Sequence, residues 1–157
     1  MAERRIGTIG PEILREMDGL SQLRGVASGE LPSPPIGRVF NFGLAEVEKG
    51  RAVFTGTPTA DHLNPLGTVH GGWAATLLDS ALACAVHSTL EKGEGYTTVE
   101  FKVNLVRPIT PQTGKVTCTG TVINRGRQIA TSEARLEDAG GKLLAHGVET
   151  CIIMPLK

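Results

Sequence analysis

The chain has 157 residues, with 16 Lys+Arg against 16 Asp+Glu and a formal net charge of zero at neutral pH. That length suits one domain, and a composition 40% hydrophobic and 20% charged excludes a disordered tail protein. No long Lys/Arg run supplies an electrostatic footprint for nucleic acid or an anionic membrane, so neither is an expected partner.

Apolar residues at Ile13, Leu14, Met17, Leu20, Leu23 and Val26 recur at three- and four-residue spacing, which predicts one amphipathic helix over residues 10–26. Pro11 suits its first turn. Residues 29–37 contain Pro32, Pro34 and Pro35 and read as a connector that is neither helix nor central strand. From Val39 the pattern predicts two strands joined by a tight polar turn at residues 48–51. After a loop at residues 62–72 comes the most apolar stretch, residues 73–90, free of Pro and Gly and long enough for a buried helix. Four β-type segments follow, at residues 96–106, 114–122, 128–137 and 142–153, the last two joined as a hairpin. The order predicts an α+β fold in which a six-stranded antiparallel sheet is covered by one long central helix. An N-terminal helical extension with its proline connector, residues 1–37, precedes a main domain at residues 38–157.

Cys84, Cys118 and Cys151 lack disulfide or metal spacing and read as reduced core residues. The N-terminal residues carry no apolar leader pattern, and Asp79 and His87 interrupt the one apolar span, so a cytoplasmic protein is expected. The spacing of His62, His87 and His146 does not suggest zinc, and no metal or cofactor is expected.

Two features point to chemistry. Asp79 stands in the middle of an Ala/Leu/Val helix, where an ionised carboxylate is expensive to bury without a partner; a polar edge facing solvent is the plainer alternative. With Thr76, Ala83 and His87 it marks the helix's one polar stripe. The second feature is His70-Gly71-Gly72 at the start of that helix. Glycines there permit close approach to first-turn N–H groups, which suit a carbonyl oxygen that becomes an oxyanion; a simple tight turn is the alternative.

The pattern Asn64…His70-Gly71-Gly72…Asp79, together with the Asn-Leu-Val-Arg-Pro strand end and the Arg125-Gly126-Arg127 turn, resembles the hotdog-fold acyl-CoA thioesterases of the phenylacetate-degradation type and their 4-hydroxybenzoyl-CoA relatives. The resemblance covers residues 38–154. It implies that Asp79 is the catalytic carboxylate, as nucleophile or general base, and that the Gly71 N–H polarises the thioester carbonyl. Asn64 would position the carbonyl or the water, and His70 would shape the loop. Thr98 would supply a strand hydroxyl, with Thr97 as the alternative register. Relatives with a hydroxyl one turn past the carboxylate differ from this chain, which has Ala83 there. Gly72 joins the substrate-binding loop, and Arg107, Arg125 and Arg127 are candidates for the coenzyme A phosphates, since guanidinium forks match phosphate oxygens.

Gly71 and Asp79 are eight positions apart, about 12 Å along a helix, too far to act on one carbonyl. A homodimer with two shared sites is therefore expected, extended by the resemblance to a dimer of dimers. The expected reaction is hydrolysis of a small acyl- or aryl-CoA thioester. A hotdog hydroxyacyl-thioester dehydratase, faintly suggested by His62 and Pro65, and a non-catalytic acyl-CoA sensor are the alternatives.

Overall fold

The computed structural model describes residues 5–156; the first four residues of the predicted extension and the last residue of the chain lie outside them. Three short helices lead in: α1 (Pro11–Glu16), α2 (Gly19–Ser28) and α3 (Pro35–Val39). The hairpin β1 (Phe42–Glu48) and β2 (Arg51–Gly56) follows, then α4 (Gly71–His87), β3 (Glu94–Leu105), β4 (Val116–Arg125), β5 (Ile129–Asp138) and β6 (Leu143–Pro155). The six strands form one sheet in the order β1-β2-β4-β5-β6-β3, every pair antiparallel. The β1–β2 turn passes through Gly50 at φ 81°, a left-handed position that glycine enters without penalty.

Three expectations are corrected. The predicted single helix over residues 10–26 is broken at Met17 and Asp18, both extended. Asp18 explains the break: its side chain accepts the Ser21 N–H at 2.9 Å and so starts a second helix as its N-cap, an option that competes with continuing the first. The proline connector also contains the start of α3. Pro35 occupies the first helical position, where its missing N–H has no partner to lose. Val39 consequently closes a helix instead of opening a strand, and β1 begins at Phe42.

Helix α4 lies across one face of the sheet. Leu77, Leu78, Ala81, Leu82 and Ala85 are fully buried against Val116, Cys118, Leu136 and other inward residues of the strands. The approach is close enough that a Cβ built on Gly120 would sit 2.2 Å from the carbonyl oxygen of Ala81. Helix α2 covers a second flank of α4: Leu23 joins the same core, the Gly19 N–H donates to the Leu90 carbonyl, and Gln22 meets His87 at 3.0 Å. Among the described residues no helix is long and apolar enough to cross a membrane.

Candidate active site

The loop before α4 is organised by Asn64. Its side-chain oxygen accepts the Leu66 N–H at 2.9 Å and the Thr68 N–H at 3.3 Å, and its amide donates to the Thr68 hydroxyl at 2.9 Å. The carboxamide therefore holds the loop's shape and keeps one N–H to offer elsewhere. His70 caps the helix: its Nδ1 accepts the Gly72 N–H at 2.9 Å, and its carbonyl accepts the Trp73 N–H at 2.9 Å. The Gly71 N–H has no partner among the described residues, so the first turn of α4 presents one free donor with the positive end of the helix dipole behind it.

That donor opens onto a cleft of about 290 Å³ lined by Asn64, His70, Gly71, Leu105 and Arg107 among others. A Cβ on Gly71 would come within 2.7 Å of Leu105 Cδ1, so the glycine keeps the cleft wall in place. Arg107 is exposed there and donates to the Leu143 carbonyl at 2.5 Å. Arg125 is at the opposite end of β3, where it pairs with Glu94 at 2.6 Å, which engages one arm of its guanidinium. Arg127, exposed in the adjoining turn, lines a separate cleft with Lys92 and Glu94.

Asp79 is half-buried on the flank of α4 and has no hydrogen-bond partner among the described residues. Burial pushes its carboxyl above the ordinary aspartate value, with no hydrogen bond or cation to pull it back. Neighbouring acids feel its charge: Cys84, partly buried on α4, is pushed up to about 12 by burial first and then by Asp79 and Glu149. Asp79 does not line the cleft at Gly71, so the two features remain apart within one chain.

Strand β3 separates the two threonines. Thr98 pairs with Cys151 on the helix-facing side of the sheet, and its hydroxyl donates to Glu149 Oε1 at 2.8 Å. Thr97 pairs with Ile152 and is exposed on the other side. Glu149 was not among the residues marked by the sequence pattern. It is 1% exposed, and the alternation Ala145, Gly147, Glu149, Cys151, Ile153 along β6 was the signal that could have placed it on the inner face.

Two of the remaining histidines, His62 and His87, have structural partners. His62 accepts the Thr59 N–H at Nδ1, meets the Val39 carbonyl at Nε2, and stacks on Phe40. His87 is partly buried against Gln22, and that burial brings its pKa down to about 4. A further cavity of about 560 Å³ lies between α1–α3, β1 and Cys84; its lining contains no carboxylate.

With this geometry in place, the thioesterase superfamily profile matches residues 66–145, the span from the loop through α4 to β6. The chain belongs to the thioesterase superfamily. It is 35% identical over 112 residues to an esterase-named protein of Caenorhabditis elegans, covering 70% of this chain and 64% of that protein's length. Human acyl-coenzyme A thioesterase 13 is 29% identical over 109 residues, covering 68% of this chain and 76% of the relative. Among solved structures, a phenylacetic acid degradation-related protein of Ralstonia eutropha JMP134 superposes with a TM-score of 0.75 at 27% identity, covering 83% of this chain and 98% of that one. The six-stranded antiparallel sheet with α4 laid across it is the hotdog fold of this superfamily, as expected from the sequence.

Proposed function

We propose that this thioesterase-superfamily chain hydrolyses aryl- or small acyl-CoA thioesters in a homodimer whose two sites are shared between subunits. One observation carries the reading: α4 holds a free N–H donor at Gly71 and a partnerless half-buried carboxylate at Asp79, about 12 Å apart by helical rise. Both groups suit thioester hydrolysis, but they can meet on one carbonyl only if two helices contribute. Residues 38–157 form the thioesterase unit in this reading, with residues 1–37 as its N-terminal extension; the protein acts in the cytoplasm.

Strand β3 supports the dimer. It is a sheet edge of 12 residues with its outer backbone groups unpaired and with Val99, Phe101 and Leu105 at 51%, 43% and 59% exposure. Such an edge is a template for a second strand. Antiparallel pairing about a two-fold axis sets the end of one β3 against the start of the other. The Gly71 cleft then receives Asp79 of the partner subunit, and Arg107 receives Arg127 of the partner subunit, a basic pair for coenzyme A phosphates. A dimer of dimers builds on the same unit.

In the reaction the Gly71 N–H and the helix dipole stabilise the oxyanion that forms as the carbonyl is attacked. With Asp79 as general base, water passes a proton to the carboxylate, its oxygen bonds to the carbonyl carbon, and the C–S bond breaks to release the coenzyme A thiolate, which recovers the proton. With Asp79 as nucleophile, its oxygen displaces the thiolate and water then cleaves the resulting anhydride. Asn64 and His70 hold the loop that presents Gly71 and Gly72, and Thr98 places a hydroxyl on the Asp79 side of the sheet.

Thiol release from a panel running from phenylacetyl-CoA to hexanoyl-CoA tests the activity, with aryl thioesters favoured by the phenylacetic acid degradation name of the Ralstonia relative. Tight binding without thiol release from any of them would instead favour the acyl-CoA sensor. The dehydratase reading loses its histidine, because both ring nitrogens of His62 are engaged by Thr59 and Val39. Single turnover in ¹⁸O water separates the two routes: label in the Asp79 carboxylate marks the nucleophile.

A further inference from the structure

Beneath the flank of α4 that carries Asp79, β3, β5 and β6 bring together a polar cluster inside an otherwise apolar layer. Glu149 Oε1 accepts two hydrogen bonds, from the Thr98 hydroxyl at 2.8 Å and from the Cys151 thiol at 2.9 Å. Among the described residues its Oε2 is buried with no partner, and so is the hydroxyl oxygen of Ser132, which stands directly across the β5–β6 ladder from Glu149. A buried carboxyl with one orphaned oxygen requires an explanation, because an apolar side chain would fill the same layer without that desolvation. Packing alone gives none.

We infer that Glu149 is a positioning residue of the hydrolytic site, acting through Thr98 to orient the water beside Asp79. A threonine hydroxyl rotates freely and can donate only one proton. When that proton is donated to Glu149 Oε1, the hydroxyl's lone pairs are directed away from Glu149 and can accept a hydrogen from a water. That water keeps its other hydrogen for the Asp79 carboxylate and its own lone pair for the carbonyl carbon. Thr98 is partly exposed on the edge strand, so a water can reach it, whereas Glu149 is sealed behind it. The proximity of the two carboxyls fits this arrangement: burial raises the Glu149 pKa, and the Asp79 charge raises it further.

The assignment rests on the thioesterase reading of Asp79, and the experiment separates the two. In the full chain, kcat and KM for phenylacetyl-CoA and hexanoyl-CoA are measured for Thr98→Val, Thr98→Ser, Glu149→Ala, Glu149→Gln, the Thr98→Val/Glu149→Ala double variant and Asp79→Asn, with a thermal melt for each. Expected are kcat losses of about 10- to 100-fold for Thr98→Val and Glu149→Ala with KM held within about threefold, since orientation of the water is needed in the transition state and not for binding. Thr98→Ser and Glu149→Gln, which keep the hydroxyl and the acceptor, recover most of that loss. The double variant is no slower than Thr98→Val alone, because Glu149 acts only through the hydroxyl. A Glu149→Ala protein that melts lower but turns over at the wild-type kcat overturns the assignment, as do losses that multiply in the double variant. If Glu149→Ala fails to fold, Thr98→Val and Glu149→Gln carry the test, and an unchanged kcat in Thr98→Val overturns it. Retained turnover in Asp79→Asn would remove the thioesterase reading itself. Inactive Asp79→Asn beside fully active Glu149→Ala would remove only the role of Glu149.

Discussion

Nδ1 of His70 accepts the Gly72 N–H at 2.9 Å, so the residue before α4 caps the helix with its own side chain. Because the cap takes Gly72 and the His70 carbonyl takes Trp73, the neighbouring Gly71 N–H is the donor left over. His70→Leu removes the cap and is expected to lower stability by about 0.5–2 kcal/mol and kcat by about tenfold, whereas His70→Asn, a good N-cap, keeps most of both. Chemical denaturation and steady-state thiol release on the same preparations check the pair of effects.

Asp79→Asn keeps the size of the side chain and removes its charge. Turnover is expected to fall by about 10²–10⁴-fold, the usual contribution of a positioned base, while the melting temperature stays level or rises because a half-buried, unpartnered carboxylate has been neutralised. Circular dichroism melts alongside kinetics distinguish this from unfolding.

The pH dependence has two separate signs. In the proposed mechanism Asp79 works ionised, and its pKa is raised by burial, so activity is expected to fall on acidification earlier than for an exposed aspartate. His87 has its folded pKa lowered from 6.5 to about 4, so the unfolded chain binds more protons in that interval and stability falls as the pH drops through it. His87→Gln cannot take up that proton and should flatten the acid side of the melting-temperature profile relative to wild type; an unchanged profile would count against the burial argument.

Two glycines should respond differently to alanine. At Gly120 the added Cβ meets the Ala81 carbonyl at 2.2 Å, backbone against backbone, and α4 must lift off the sheet; a loss of more than about 3 kcal/mol is expected. At Gly71 the clash is with the tip of the Leu105 side chain, which can turn aside. Gly71→Ala should therefore fold, with the loss falling on turnover. Urea denaturation of both variants with kinetics on Gly71→Ala makes the comparison.

Phe101 faces the helix side of β3 opposite Glu149 yet is 43% exposed, since β3 is the edge strand of the sheet among the described residues. Phe101→Glu places a charge where a second subunit would pack. Sedimentation should show a monomer, and thiol release should disappear with the dimer; an active monomer would defeat the shared-site arrangement.

Local patterns carried much of the architecture. The Pro- and Gly-free, mostly apolar run before residue 90 reads as a buried helix, and the Asp138–Gly141 turn between alternating segments joins β5 to β6, because both follow from periodicity and turn chemistry that neighbouring residues set among themselves. Asp79 was legible for the same reason: a charge inside an apolar period is visible without any fold. The break at Asp18 was harder to see, since an apolar face continues across it while the cap hydrogen bond wins locally.

The amino-acid order alone therefore specified the helix, the strands, their hairpins and the lone carboxylate, all of which depend on contacts within a few residues. Folding in three dimensions settled what depends on residues far apart in the chain. It set Thr98 and not Thr97 on the helix side, committed Arg125 to Glu94, and joined Glu149 to a threonine 51 positions away. A one-residue shift of register would have turned each of those side chains to the opposite face, and pairing between β3 and β6 is a long-range choice made by burial of the whole sheet.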